Sequence, residues 1–286
     1  MSPGNSHNYH RVRYIVELSI FRHLWGITEA WETLFPKISR LGYNGIEHIL
    51  PEEADRERFR RLLGQHQFKY IAQVITTGDT VEDHIRSFRQ TVERAATLKP
   101  QKINCHSGCD WFTEEQSKRY FGEALEIEAK IGIPVAHETH RGRILYNPWI
   151  TDKLLKHFSQ LKLSCDFSHW VVISERLLET EIDIIARSAE RCIHVHARVG
   201  YEEGPQVPDP RAPEYERHVE AHERWWDMIW SAQERRGEEE STLTPEFGAP
   251  DYLHTLPYTR TPVADLWDIC NWQAERQRSR FSARGT

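Results

Sequence analysis

Eight short runs of β-branched and apolar residues, separated by longer stretches of helical period, set the tightest limit on what this 286-residue chain can fold into. The runs are RYIVELS (13–19), GIEHI (45–49), YIAQVIT (70–76), KINCH (102–106), PVAHE (134–138), LKLSCD (161–166), CIHVHA (192–197) and TLTPEF (242–247). Strands alternating with helices predict βαβ units and a parallel sheet. In VEDHIRSFRQTVERAATL (81–98), for example, Val81, Ile85, Phe88, Val92 and Ala95 recur at three- and four-residue steps, which places them on one helical face. Gly45 and Pro134 stand where a helix must have stopped before the chain re-enters the sheet. No Gly/Ser-rich linker or low-complexity run divides the chain.

Eight such units close most economically into one α/β domain, a (β/α)8 TIM barrel over residues 13–286 preceded by a flexible tail at 1–12. A doubly wound open sheet is the competing arrangement. It would carry a glycine-rich phosphate loop after its first strand, and ELSIFRHLWG (17–26) has none.

Charge narrows the range of partners. Thirty-seven Lys and Arg against 43 Asp and Glu leave a net charge of -6, which gives no electrostatic reason to approach a phosphate backbone or an anionic membrane. The opening MSPGNSHNYHRVR is polar and no apolar run approaches bilayer length, so a cytoplasmic address is expected, with no nucleic-acid or membrane partner. Five cysteines without a CxxC pair point to reduced thiols.

In a barrel of this kind the chemistry sits at the C-terminal ends of the strands. Consecutive strands here end in Glu138, Asp166, His196 and Glu246. Glu138 to Asp166 is 28 residues and Asp166 to His196 is 30, each close to one βα unit. His196 to Glu246 is 50, and the surplus shows as the proline-rich GYEEGPQVPDPRAPE, an extended loop at about 199–213 that could form a lid over the rim, its role left open by the sequence. Three carboxylates and an imidazole form a mainly hard-oxygen donor set. That set suits a divalent ion, Mn2+ first, with Mg2+, Co2+ or Zn2+ as alternatives. Any one of these acids alone is more simply a helix cap or turn residue. Four at matching positions are not simply explained that way.

At these motifs the chain resembles the xylose isomerase-like TIM-barrel superfamily, the sugar phosphate isomerase/epimerase group. The resemblance spans nearly the whole chain as architecture, with its specific motifs in the second half. It implies that Glu138, Asp166, His196 and Glu246 hold the metal and that Glu138 and Glu246 are the catalytic acid/base pair. It also implies that His169, three after Asp166, contacts substrate. The activity implied is a metal-dependent isomerase or epimerase acting on a small sugar, polyol or keto acid through an enediolate. A dehydratase is the alternative, and an endonuclease IV-like zinc phosphodiesterase or a non-catalytic binding barrel ranks below it. A homodimer is compatible with the resemblance. Two positions depart from the epimerase pattern: Glu202 replaces an arginine six after His196, leaving Arg198 as substitute, and Ile144 replaces a second glutamate.

Further rim candidates are weighed individually. His106 is assigned a substrate contact or a structural role, and Trp25, Trp111 and Trp170 an apolar wall for a sugar ring. Cys105 and His106 fall on opposite faces of one strand, which argues against a thiolate zinc cluster with Cys109. His140, Arg141 and Arg143 follow Glu138 closely enough to reach substrate or pair with carboxylates. His194 shares a face with His196 and reads as a core histidine, while Glu47 is placed in the polar wall. Trp225, Trp226 and Trp230 read as core or interface residues. His218 and His222, on a highly charged helix, are expected on a solvated face.

Overall fold

The computed structural model describes residues 16–284, so the tail expected at 1–12 lies outside the described residues. Eight parallel strands close on themselves in sequence order: β1 (Glu17–His23), β2 (Gly45–Ile49), β3 (Lys69–Ile75), β4 (Lys102–His106), β5 (Val135–Glu138), β6 (Leu163–Cys165), β7 (Cys192–His196) and β8 (Glu240–Thr244). Closure is made by β8 against β1, with Glu17 opposite Glu240 and Ile20 opposite Leu243. The outer ring is α1 (Trp31–Arg40), α2 (Arg56–Gln65), α3 (Val81–Ala96), α4 (Glu114–Ile131), α5 (Pro148–His157), α6 (Ser168–Ser174), α7 (Ile182–Ala189), α8 (Glu216–Arg236) and α9 (Leu266–Ala283). The (β/α)8 expectation holds and the open-sheet alternative falls.

Local chemistry starts and stops these helices. Thr80 and Thr113 open α3 and α4 as capping boxes, each accepting from the backbone N–H three residues on, while the Asp83 and Gln116 side chains accept from the cap's own N–H. Gly132 ends α4 in the left-handed region (φ 69°), where a Cβ would be strained. Gly45 opens β2 because an added Cβ would meet both the Lys69 carbonyl and the Phe21 ring.

Two strand boundaries depart from the sequence reading. The first strand is displaced toward the C-terminus and runs to His23, because it must pair with β8 through Ile20 and with β2 through His23. Its polar Arg22 is accommodated by stacking 4.6 Å over the Trp267 ring. The eighth strand stops at Thr244, since Pro245 has no N–H to extend the ladder, and Glu246 therefore stands two residues beyond it.

The stretch between β7 and α8 is fastened at several points. Val207 N–H donates to the Val199 carbonyl at 2.9 Å, Gly200 N–H donates to His222 Nε2 at 3.2 Å, and Gln206 exchanges two hydrogen bonds with the Gly248 backbone. Those bonds hold the loop down on the barrel. They also bury His218 and His222, which are not on the solvated face that the charge of their helix suggested. Part of the surplus length goes into α8 itself, at 21 residues.

Candidate metal centre

Strand alternation decides which side chains enter the barrel. On β4, Lys102, Asn104 and His106 turn inward, while Cys105 packs on the helix side near Ser107. On β7 it is His194 and His196, and on β8 Thr242 and Thr244. The upper inward positions converge at the rim. One donor atom from each of Glu138, Asp166, His196 and Glu246 lies within 4.8 Å of the others, and all four residues are buried.

Each is held by neighbours. Glu138 Oε2 accepts from the Asn104 amide at 2.7 Å and lies 2.7 Å from His106 Nε2. Asp166 Oδ1 accepts from the Ser168 N–H at 3.0 Å, and Thr139 Oγ1 both accepts from the Asp166 N–H and donates to its carbonyl. His196 Nδ1 lies 2.9 Å from Glu246 Oε2 and 3.5 Å from Glu138 Oε2, while its Nε2 lies 2.9 Å from Glu47 Oε1. The Arg198 guanidinium sits between Asp166 Oδ2, at 3.3 Å, and Glu246 Oε2.

What is left over fits a cation. Glu138 Oε1 is buried without a partner, and Asp166 Oδ2 and His196 Nδ1, although they face Arg198 and Glu246, make no well-aligned hydrogen bond. Orphaned buried polar atoms are costly unless something binds them. Burial lifts the Asp166 carboxyl to about 7 against the pull of Arg198, with Glu246 and Glu138 adding to the rise. Burial also opposes charge on Glu138 and His196, but their mutual attraction and neighbours prevail: Glu138 stays well below the carboxylate range and His196 well above the imidazole range. A set of oxygens and one ring nitrogen, with no thiol, suits a hard or borderline divalent ion.

Beside Glu138 runs a row of imidazoles. The His106 and His140 rings are 4.5 Å apart and the His140 and His169 rings 3.9 Å apart, with His169 Nε2 3.7 Å from Asp166 Oδ2. Burial holds His140 and His169 well below the usual imidazole range, so both are neutral. Tyr252, from the chain after β8, packs 4.8 Å from the Arg198 guanidinium, 5.0 Å from Arg141 and 6.4 Å from the His169 ring.

The three tryptophans expected to form a wall separate. Trp25 is near the site, its ring 5.9 Å from Arg198 and lying on Gly248. Trp111 is 56% exposed and rests edge-on against Phe112. Trp170 is fully buried, its indole N–H donating to the Leu145 carbonyl and its ring packed on Phe167. It is a core residue, because α6 starts within two residues of Asp166 and turns this side chain away from the rim.

Glu202 turns away to pair with Arg217 and His218. Asn104, Thr139 and Tyr252 were missed in the sequence. Asn104 was accessible there, since it lies two before His106 on one strand; Tyr252 sits in irregular chain and gave no periodic signal.

A closed parallel barrel with three carboxylates and a histidine gathered at its C-terminal rim defines a class of barrel proteins built around a polar, metal-type site. Residues 35–223 match the family model described as xylose isomerase-like TIM barrel, and the chain belongs to that family. No curated protein matches it in sequence. Among solved structures, the probable 3-DHS dehydratase AsbF from Bacillus anthracis shares 15% identity over 91% of this chain and 98% of its own, with a TM-score of 0.60. The 3-keto-D-glucoside 4-epimerase YcjR from E. coli shares 10% identity over 92% and 100%, at 0.56. A xylose isomerase-like TIM barrel protein from Mycobacterium smegmatis, in complex with magnesium, shares 10% over 93% and 97%, at 0.57. At such identities the likeness is one of fold. Among the described residues no helix is long and apolar enough to cross a membrane.

Proposed function

We propose that this protein is a divalent-metal-dependent isomerase or epimerase that removes a proton beside a carbonyl of a small sugar, polyol or keto acid. The observation that carries the proposal is the convergence of four buried donors from the ends of consecutive strands within 4.8 Å, three of them with an atom that makes no hydrogen bond. A bound divalent cation would supply Lewis acidity at the carbonyl oxygen and adjacent hydroxyl, which acidifies the C–H between them.

The chain's own groups then divide the work. Glu138 keeps Oε2 fixed by Asn104 and His106 and Oε1 unpartnered, so it is suited to accept the substrate proton. Glu246, two residues past β8, is the candidate to return a proton from the other side. Arg198, His169 and His106 are assigned to substrate oxygens, and Trp25 and Tyr252 to the wall over them. The magnesium of the Mycobacterium smegmatis relative makes Mg2+ a second choice to Mn2+.

One observation favours a second reading. Glu246 is tied into Arg198 and His196, whereas the neutral imidazoles of His140 and His169 lie on the same flank as Glu138. Proton removal by Glu138 and relay of that same proton through a neighbouring neutral imidazole to a leaving hydroxyl on one flank suit dehydration, the class of reaction in the name of the probable dehydratase from Bacillus anthracis, better than inversion at carbon.

The experiment incubates chelator-treated, Mn2+-reloaded protein with a panel of ketoses, polyols and keto acids in D2O. Deuterium in recovered carbohydrate supports isomerisation or epimerisation, and loss of 18 mass units, one water, supports dehydration. Glu138→Ala and Asp166→Ala are expected to fold yet lose bound Mn2+. A wild type that refuses added Mn2+ would sink both readings.

A further inference from the structure

The geometry points to Glu47 as a positioning residue for this centre: from across the barrel it fixes which ring nitrogen of His196 faces the other three donors. The inference rests on the reading that Glu138, Asp166, His196 and Glu246 hold a cation. Glu47 ends inside the barrel on β2, 1% exposed and 149 residues from His196 in sequence. Its Oε1 lies 2.9 Å from His196 Nε2, and its Oε2 lies 3.2 Å from His194 Nε2 and accepts from Thr244 Oγ1 at 2.5 Å.

An ionised carboxylate only accepts hydrogen bonds, so both Nε2 atoms must carry the hydrogen. For His196 that leaves Nδ1 turned to the rim, where it lies 2.9 Å from Glu246 and 3.5 Å from Glu138. The arrangement extends downward. His194 Nδ1 lies 2.9 Å from Thr242 Oγ1, and that oxygen accepts from the Lys102 ammonium at 2.9 Å. The column Lys102, Thr242, His194, Glu47, His196 occupies space that branched aliphatic side chains usually fill in such barrels.

Glu47, His194 and His196 also lie close enough together to resemble a metal site of their own. Their hydrogen bonds argue otherwise. Every ring nitrogen of His194 and both oxygens of Glu47 are hydrogen-bonded, and within this trio the atom that makes no hydrogen bond is His196 Nδ1, which faces Glu246 and Glu138 at the rim. Glu47 therefore orients a ligand and does not ligate. A carboxylate behind a ligating imidazole fixes its tautomer and ring angle, and its loss typically weakens metal binding by about 10–100-fold.

The test strips wild type, Glu47→Gln and Thr244→Val with chelator and titrates each calorimetrically with Mn2+ alone and with Co2+ alone, following the Co2+ visible spectrum. Wild type is expected to take one ion. Glu47→Gln should keep that stoichiometry, bind about 10–100-fold more weakly, and show a shifted Co2+ spectrum. Thr244→Val, which removes one group holding Glu47, should weaken binding in the same direction by less. Unchanged affinity in Glu47→Gln overturns the inference, as does a stoichiometry that falls from two ions to one, which would make Glu47 a ligand. Should Glu47→Gln not fold, unchanged affinity in Thr244→Val overturns it. Wild type that binds no ion removes the site reading and the inference together, while a binding wild type with unaffected variants removes the inference alone.

Discussion

With its guanidinium between Asp166 and Glu246, Arg198 offsets part of the repulsion among three buried carboxylates. Deleting one partner of a buried ion pair costs about 3–5 kcal/mol because the other charge is left uncompensated. Chelator-treated Arg198→Met is expected to lose about that much stability by urea denaturation, and Mn2+ should narrow the gap by taking over the charge. Equal stability of variant and wild type without metal would show that the pair is not stabilising. At this scale the four rim residues were legible, because strand ends and unit spacing are local patterns. The place of Glu47 across from His196 was not, since it depends on the barrel's curvature bringing β2 opposite β7. Nor was the burial of Trp170, which depends on how sharply the chain turns after Asp166.

Among the elements, the connection between β7 and α8 reads as a lid from its prolines, and it is fastened at several points, one of them Gln206, bonded at both ends to the Gly248 backbone. Composition shows that a stretch is irregular and says nothing of what holds it. The same ignorance misplaced His218 and His222, whose helix is charged by sequence yet covered by that loop. Gln206→Ala is expected to cost about 1–3 kcal/mol by leaving buried backbone groups unpaired. It should also raise amide exchange both in 199–213 and in 246–249. Faster exchange in the first segment alone would mean that the two stretches are not coupled.

For the molecule as a whole, buried histidines shape the pH response. Burial pushes His222 down to about 3 and His48 down to about 4, so as pH falls below about 6.5 the unfolded chain takes up protons that the folded chain refuses. Each such group removes stability by up to about 1.4 kcal/mol per pH unit on the acid side. His137 behaves oppositely. Burial works against its charge, but the Glu128 carboxylate 2.7 Å away lifts it to about 9, so its contribution is full below about pH 6.5 and is lost as pH rises through 9. Urea midpoints are expected to peak near neutrality, with the acid limb shallower in His222→Gln. An acid limb that is the same in both proteins would remove His222 from the account.

Closure and site assembly are one event in this barrel. Glu246 lies two residues past β8, and β8 is the strand that seals the ring against both β7 and β1. Until β8 docks, Glu246 cannot join Glu138, Asp166 and His196, which stand at the ends of three neighbouring strands. A cation held by all four residues would therefore bind the sealed ring and not one with β8 undocked, and by mass action would act as a latch for the whole cylinder.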